Sequence, residues 1–418
     1  MSRHRIALLI VSVFMSPLIF CAQQKTAAKP RVRAITAFVK LDRAKYTEQI
    51  ADTMKMLRAA KAAMEQGGYE VETVRITTQM FADYVQGLSK PQILAFFRDY
   101  DALAVKENFN ANIGPALEID SDQNATVELL GEILENAKAL NSSLHIAGEK
   151  GVYWKNIRAG AKLIKYLSEH SAHSQANFNF AAVAMLEPYG PFFPGSYHNG
   201  AGHQFAIGLE SANVVDEVFG EAGINPVPGP EQLTARLTAA LNEHARAIEA
   251  IAQRVEKETG WTYLGMDPTP APLKDISIGA AIEKFTGAQL GSSGTLTAAA
   301  AITKAVKAVP VKQVGYAGLM LPVLEDSRIA QRWSEGAVNI DSLLAYSAVC
   351  ATGLDTIPLP GDVSVEQIER ILGDVASLAV KWHKPLAARL LPVAGKKAGE
   401  RTDFGGPILT NATIQALP

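Results

Sequence analysis

Cysteine is scarce in this sequence: two in 418 residues, Cys21 and Cys350. An excess of either charge is missing as well, and a formal net charge of −2 gives neither the basic field that nucleic acid requires nor a polybasic arm for anionic lipid. Small molecules are the expected partners. No low-complexity linker interrupts residues 30–418, so one domain over 29–418 is expected. Nearly half the side chains are apolar and about a fifth are charged, which is enough to bury one large core or two ordinary ones.

Only one long apolar run exists. Arg3, His4 and Arg5 precede IALLIVSVFMSPLIFCA, and polar QQKTAAK follows it. This order of charged, apolar and exit regions is that of a secretory signal, so residues 1–28 are expected to be a signal peptide and short linker, and the mature chain to be periplasmic or secreted. The run is short for a span and is weakened by Ser12, Ser16 and Pro17, so no transmembrane domain is expected in the mature chain. A lipid anchor through Cys21 is the less favoured alternative, because Phe20 stands where a lipoprotein signal wants a small residue. Loss of Arg3 and Arg5 takes two positive charges from −2 and leaves −4. Loss of Cys21 leaves Cys350 without an intramolecular partner, either a buried inert thiol or a free reactive one.

From Pro30 onward, strand and helix patterns alternate. VRAITAFVKL has the β-branched and aromatic content of a strand, while Ile50, Met54, Leu57 and Met64 mark one face of a helix over 46–64. YEVETVRIT is the next strand, after the turn residues Gly67 and Gly68. Helices are expected at 91–101, 124–140 and 157–169. FNFAAVAML is the short, nearly unbroken apolar run of a strand covered on both faces, which argues for the α/β class. The longest helix, 231–258, is followed by strands WTYLGM, VGYAGLML and AARLLPV and by helices near 279–286, 294–308, 326–334, 340–350 and 364–381.

Four loops carry the candidate chemistry. In EPYGPFFPGSYHNGAGHQFAIGLE, His198 and His203 are five apart, which is no recognised metal spacing, so no metal is assigned and His198 is read as a structural or ligand-contacting residue. In GMDPTPAPLKDISIG, Asp267 leaves a strand and is a ligand-binding candidate, whereas Asp275 or Ser277 is explained as a helix cap. Nearby, Ser292 and Gly294 stand at a helix start whose free N–H groups suit an anion. In GLMLPVLEDSRIAQRW, Glu325 and Asp326 are candidates for general acid and base, with favourable interaction with a helix dipole as the structural explanation. In ARLLPVAGKKAGERTDFGG, Lys396, Lys397 and Arg389 could grip a carboxylate or phosphate. The Walker spacing is absent there, so nucleotide hydrolysis is not expected.

GLMLPVLED, YSAVCATGLDTIPLPGD and KPLAARLLPVAGKKAGERTDF together resemble the bacterial and archaeal family known as domain of unknown function 711. VRAIT, PFFPGSYH and SIGAAIE add to the likeness, which runs from about Val32 to near the C-terminus. The resemblance implies a pyruvate formate-lyase-like α/β barrel of ten strands and leaves the activity uncharacterised. Members are generally cytoplasmic, so the leader departs from the family pattern. Glycyl radical enzymes of that fold carry an Arg-Val-small-Gly-Tyr motif downstream of an active-site cysteine. Here Gly315-Tyr316 lies upstream of Cys350 and lacks the arginine, so radical chemistry is the least favoured reading.

Two functions stay open. One is a non-radical enzyme on a small anionic metabolite, a carboxylate or a phosphate, with Cys350, Glu325, Asp326, Asp355 or Asp362 as nucleophile, acid or base. The other is a non-catalytic binding or structural protein of the periplasm. Cys350, among small residues near a helix end, is most economically a buried thiol. No cofactor is specified by the sequence, and self-association stays open.

Overall fold

The computed structural model describes residues 29–200, 202–222 and 229–417. The expected leader and Cys21 lie outside them. The chain runs β1 (Arg31–Val39), α1 (Tyr46–Gln66), β2 (Val71–Thr77), α2 (Phe81–Val85), α3 (Lys90–Glu107), β3 (Asn110–Pro115), α4 (Asn124–Leu134), β4 (Leu140–Gly148), β5 (Gly151–Val152), α5 (Trp154–His170) and β6 (Phe180–Ala184). It continues through β7 (His203–Glu210), α6 (Ala212–Ala222), α7 (Pro230–Thr259), β8 (Thr262–Asp267), α8 (Ile278–Thr286), α9 (Thr295–Lys307), α10 (Ser327–Ser334), α11 (Ile340–Ser347), β9 (Gly353–Pro360), α12 (Val365–Trp382) and β10 (Leu386–Val393).

The expected α/β class and ten-stranded sheet are present. The strand order is β8-β7-β1-β2-β3-β4-β6-β10-β9, with the short β5 paired to β4. Strands β1, β2, β3, β4 and β6 are parallel to one another. β7 and β8 form a second parallel pair, β9 and β10 a third, and both pairs join the five antiparallel. The sheet is open between β8 and β9. Residues 311–324 span that gap through isolated parallel bridges, Gln313 to Met266 on β8 and Pro322 to Asp355 on β9.

Strand β6 shows why the interior is divided. Successive side chains of a strand point to opposite faces. Phe180, Ala182 and Ala184 join the main core beneath the helices, while Ala181 and Val183 join a smaller cluster with Phe192, Ala271, Tyr316 and Met320 on the inner face. That inner face receives the loop over 187–200. Thr36 donates to the Pro191 carbonyl at 2.8 Å, Asn112 to the Pro194 carbonyl at 2.5 Å, and the Thr77 and Ser196 hydroxyls lie 2.8 Å apart. A loop inside a sheet needs such partners, because its unpaired backbone groups would otherwise be costly.

Three expectations about elements are corrected. VGYAGLML is irregular: Gly315 and Ala317 take positive φ, 79° and 48°, which breaks a ladder. The helix over 124–140 stops at Leu134, and Asp101 accepts the N–H groups of Lys138 and Ala139 as the chain turns into β4. HQFAIGLE, expected within a loop, is strand β7, and GLDTIPLP forms strand β9 with every residue buried. Among the described residues, no helix is long and apolar enough to cross a membrane.

Candidate active site

A cavity of about 330 Å³ opens on the inner face of the sheet. Arg33 from β1, Asn110 from β3, Asn141 from β4 and Ala181 from β6 reach it from near the N-terminal ends of their strands, and Glu72, Thr73 and Arg75 from β2. Asp355 of β9 and Ala387 and Arg389 of β10 close the opposite wall. Phe178, Phe192, Phe193, Ala271, Leu273 and Met320 make most of the remaining surface apolar.

Three guanidiniums and three carboxylates line this space. Arg33 Nη1 bonds Glu72 at 2.9 Å and Glu210, outside the cavity lining, at 3.0 Å, and its Nη2 bonds Glu325 at 2.8 Å. Glu325 also accepts from Arg389 Nη2, and Arg389 Nε bonds Asp355 at 2.7 Å. The result is an unbroken chain of charge from β1 to β10 through Glu325. Burial opposes the charge on Arg389, but Asp355 and Glu325 outweigh it and hold its pKa above the usual arginine value. Burial and the neighbouring Glu325 push the Asp355 carboxyl upward against the pull of Arg389. Glu210 is pushed up to about 8, chiefly by burial and then by Glu72, against the pull of Arg33 and Arg31.

Arg75 stands apart. Its Nε donates to the Thr73 hydroxyl at 3.0 Å and its guanidinium lies 5.0 Å from the Phe193 ring centre. No carboxylate among the described residues pairs with it. Burial, followed by repulsion from Arg33, lowers its pKa to about 9, so it remains a cation at neutral pH. Tyr316 lines the cavity as well, and so does Thr352, whose buried Oγ1 has no hydrogen-bond partner among the described residues. Burial and the Asp355 charge raise the Tyr316 pKa strongly, so the phenol stays protonated and can donate a hydrogen bond. The loop over 187–200 closes tightly on this group: a Cβ on Gly195 would lie 2.7 Å from the Tyr316 hydroxyl.

The family model described as Uncharacterised ACR (DUF711) matches residues 25–406. The chain belongs to this family. A UPF0210 protein of Pyrobaculum aerophilum is 35% identical over 295 residues, covering 68% of this chain and 63% of the relative, so the match spans less than two thirds of that protein. A UPF0210 protein of Pyrobaculum islandicum is 29% identical over 380 residues, covering 86% of this chain and 82% of its own. An anaerobic ribonucleotide reductase from Thermotoga maritima, solved with citrate in its active site, aligns over 86% of this chain and 79% of its own, at 9% identity and a TM-score of 0.40.

Of the residues singled out in sequence, this DUF711 chain brings Glu325, Asp355 and Arg389 to the cavity. The others lie elsewhere. Cys350 is 1% exposed in the main core, with its N–H bonded to the Tyr346 carbonyl at 2.8 Å. Asp326 caps α10, accepting from the N–H groups of Arg328 and Ile329, and also takes the Ser277 hydroxyl at 2.6 Å and the Gly279 N–H at 3.2 Å. Asp267 is fully buried behind the cavity and holds the Tyr316 backbone. His198 bonds Gln204 at 3.3 Å beside a separate cavity near Lys40, Asp83 and Glu118, and burial lowers its pKa. Ser292 and Gly294 form an exposed turn before α9, and Asp362 is exposed. Lys396 bonds the Arg401 carbonyl at 2.7 Å and Asp403 at 3.3 Å, and Lys397 is exposed, so neither reaches the cavity. Among the described residues, no three His, Cys, Asp or Glu side chains form a metal-binding group.

Arg33, Glu72, Arg75, Tyr316 and Thr352 were not singled out from sequence. The available signal was charge inside strand-like runs: RVRAITAFV and VETVRIT carry Arg33, Glu72 and Arg75 among β-branched residues. A charged residue in such a run needs a polar interior to face.

Proposed function

We propose that the protein is an exported, non-radical enzyme that binds a small anionic molecule in this cavity and transfers a proton on it. Arg75 carries the reading: a guanidinium at the cavity wall with no carboxylate partner among the described residues. Guanidinium forks bind carboxylate or phosphate bidentately, and removal from water strengthens the pair. Asp355, made more basic by burial, serves as general base that takes a proton from the ligand, and the Tyr316 phenol, kept protonated, donates a hydrogen bond to the oxygen on which the charge develops. The core position of Cys350 supports chemistry that does not use a thiol. The signal-like order of residues 3–28 supports export.

A thermal-shift screen of the full chain against carboxylates and phosphates tests the binding step. A ligand at a hundred times its dissociation constant stabilises the fold by about 2.7 kcal/mol. The shift is expected to vanish in Arg75→Gln, and a shift that survives there would refute the assignment. One observation favours a non-catalytic binding protein instead: Glu325 and Asp355 are both tied into ion pairs. Asp355→Asn separates the two readings, because an enzyme loses turnover of a ligand it still binds, whereas a binding protein has no turnover to lose.

A further inference from the structure

We infer that the ligand is a monocarboxylate with an apolar body, rather than a polyanion or a phosphate ester. This deepens the anion-site reading and rests on it. The first argument is hydrogen-bonding capacity. Arg33 already bonds Glu72, Glu210 and Glu325. Arg389 engages Asp355 through Nε, Glu325 through Nη2 and the Phe178 carbonyl through Nη1 at 3.5 Å. Arg75 alone has Nη1 and Nη2 without partners among the described residues, so the wall offers one guanidinium fork. One fork matches one carboxylate.

The second argument is repulsion. Glu72, Glu325 and Asp355 line the same cavity, so a second negative group on the ligand would lie among carboxylates whose attraction is already directed to Arg33 and Arg389. In a low-dielectric space like charges repel strongly. A dicarboxylate or a doubly charged phosphate therefore meets an opposing field as soon as its first charge is seated.

The third argument is the wall itself. Ala181, Phe192, Ala271, Tyr316 and Met320 belong to the apolar inner cluster and border the cavity, with partly buried Ala387 packed against them. Alanine at Ala181, Ala271 and Ala387 leaves the space that larger side chains would fill. At roughly 30 Å³ per water, the cavity has room for on the order of ten waters, and exchanging them for methylene or ring carbon is favourable at such a surface.

Isothermal titration of the full chain with acetate, butyrate, hexanoate, 3-phenylpropionate, succinate and inorganic phosphate tests this. Affinity is expected to rise by about fourfold for each methylene buried, with 3-phenylpropionate bound and succinate and phosphate undetected. Binding is expected to disappear in Arg75→Gln and, with Arg75 intact, in Ala271→Leu, which fills the apolar end. Near-ultraviolet circular dichroism of both variants reports whether they are folded. Succinate or phosphate bound more tightly than hexanoate, and lost in Arg75→Gln, would overturn the monocarboxylate assignment and leave the anion site standing. Affinity unchanged along the series would do the same. Failure of every compound to bind the folded chain, or binding that survives in folded Arg75→Gln, would overturn both.

Discussion

Asp267 holds Tyr316 at the cavity. Its Oδ2 accepts the Tyr316 N–H at 2.7 Å and its Oδ1 the Ala317 N–H at 3.1 Å, while Thr269 adds N–H and O–H donors at 3.0 and 2.5 Å. The chain can approach so closely because residue 315 is glycine. Its φ is 79°, and a Cβ there would sit 2.4 Å from Asp267 Oδ2. Gly315→Ala is therefore expected to combine backbone strain with a clash, at a cost of about 1–3 kcal/mol for the strain alone. Chemical denaturation measures the loss, and Tyr316-dependent activity or ligand affinity should fall with it.

The Asp267 carboxyl is pushed up to about 6 by burial, against the four donors that favour its ionised form. A carboxyl with a raised folded pKa binds its proton more tightly in the folded than in the unfolded chain. Its stabilising contribution is complete below the unfolded value near 4 and is lost as pH rises to about 6, on the order of 3 kcal/mol. Urea titrations at pH 4 and pH 7 should show this difference in the parent chain relative to Asp267→Asn. Equal differences at both pH values would contradict the account.

Glu325 joins Arg33 and Arg389, so Glu325→Gln removes the charge between two buried cations. Breaking a buried ion pair from one side costs about 3–5 kcal/mol. A surface change away from such features stays within about 0.5 kcal/mol, and Asp362→Asn at an exposed position is the control. Calorimetric melting of the two variants should differ accordingly.

Cys350 lies in the core and its helix end is held by Lys384, which donates to the Ser347 carbonyl at 2.7 Å and to the Cys350 carbonyl. A thiol reagent should therefore modify the native chain only as fast as it opens, and Cys350→Ala should leave ligand affinity unchanged. Rapid native labelling would contradict the burial.

The export proposal is checked by fusing residues 1–28 to a reporter that is active only outside the cytoplasm. Activity in the fusion is expected, and a cytoplasmic, full-length product would refute it.

Helices were the more legible part of this fold, because their apolar stripes recur over many residues: α1, α7 and α12 follow their patterns closely. Strands β3, β4, β7 and β9 were not legible. NANIGP and LNSSLHIAG mix polar residues into buried strands, and GLDTIPLP reads as a turn, since Pro and Gly punctuate loops more often than they enter sheets. The same mixture hid much of the cavity. Glu325, Asp355 and Arg389 stood out because they sit beside distinctive motifs, whereas Arg75 is one charge in VETVRIT, and only the fold shows that its neighbours are Phe193 and Thr73. Lys396 and Lys397 were conspicuous for the opposite reason. A basic turn is easy to see in sequence, and here it lies at the surface.

The most direct test of the central claim is a crystal structure of the chain grown with 3-phenylpropionate. The carboxylate is predicted to lie within hydrogen-bonding distance of Arg75 Nη1 and Nη2, with the ring against Phe192, Ala271 and Met320. A ligand seated instead at Lys396 and Lys397, or at the turn before α9, with the inner cavity holding only water, would contradict it.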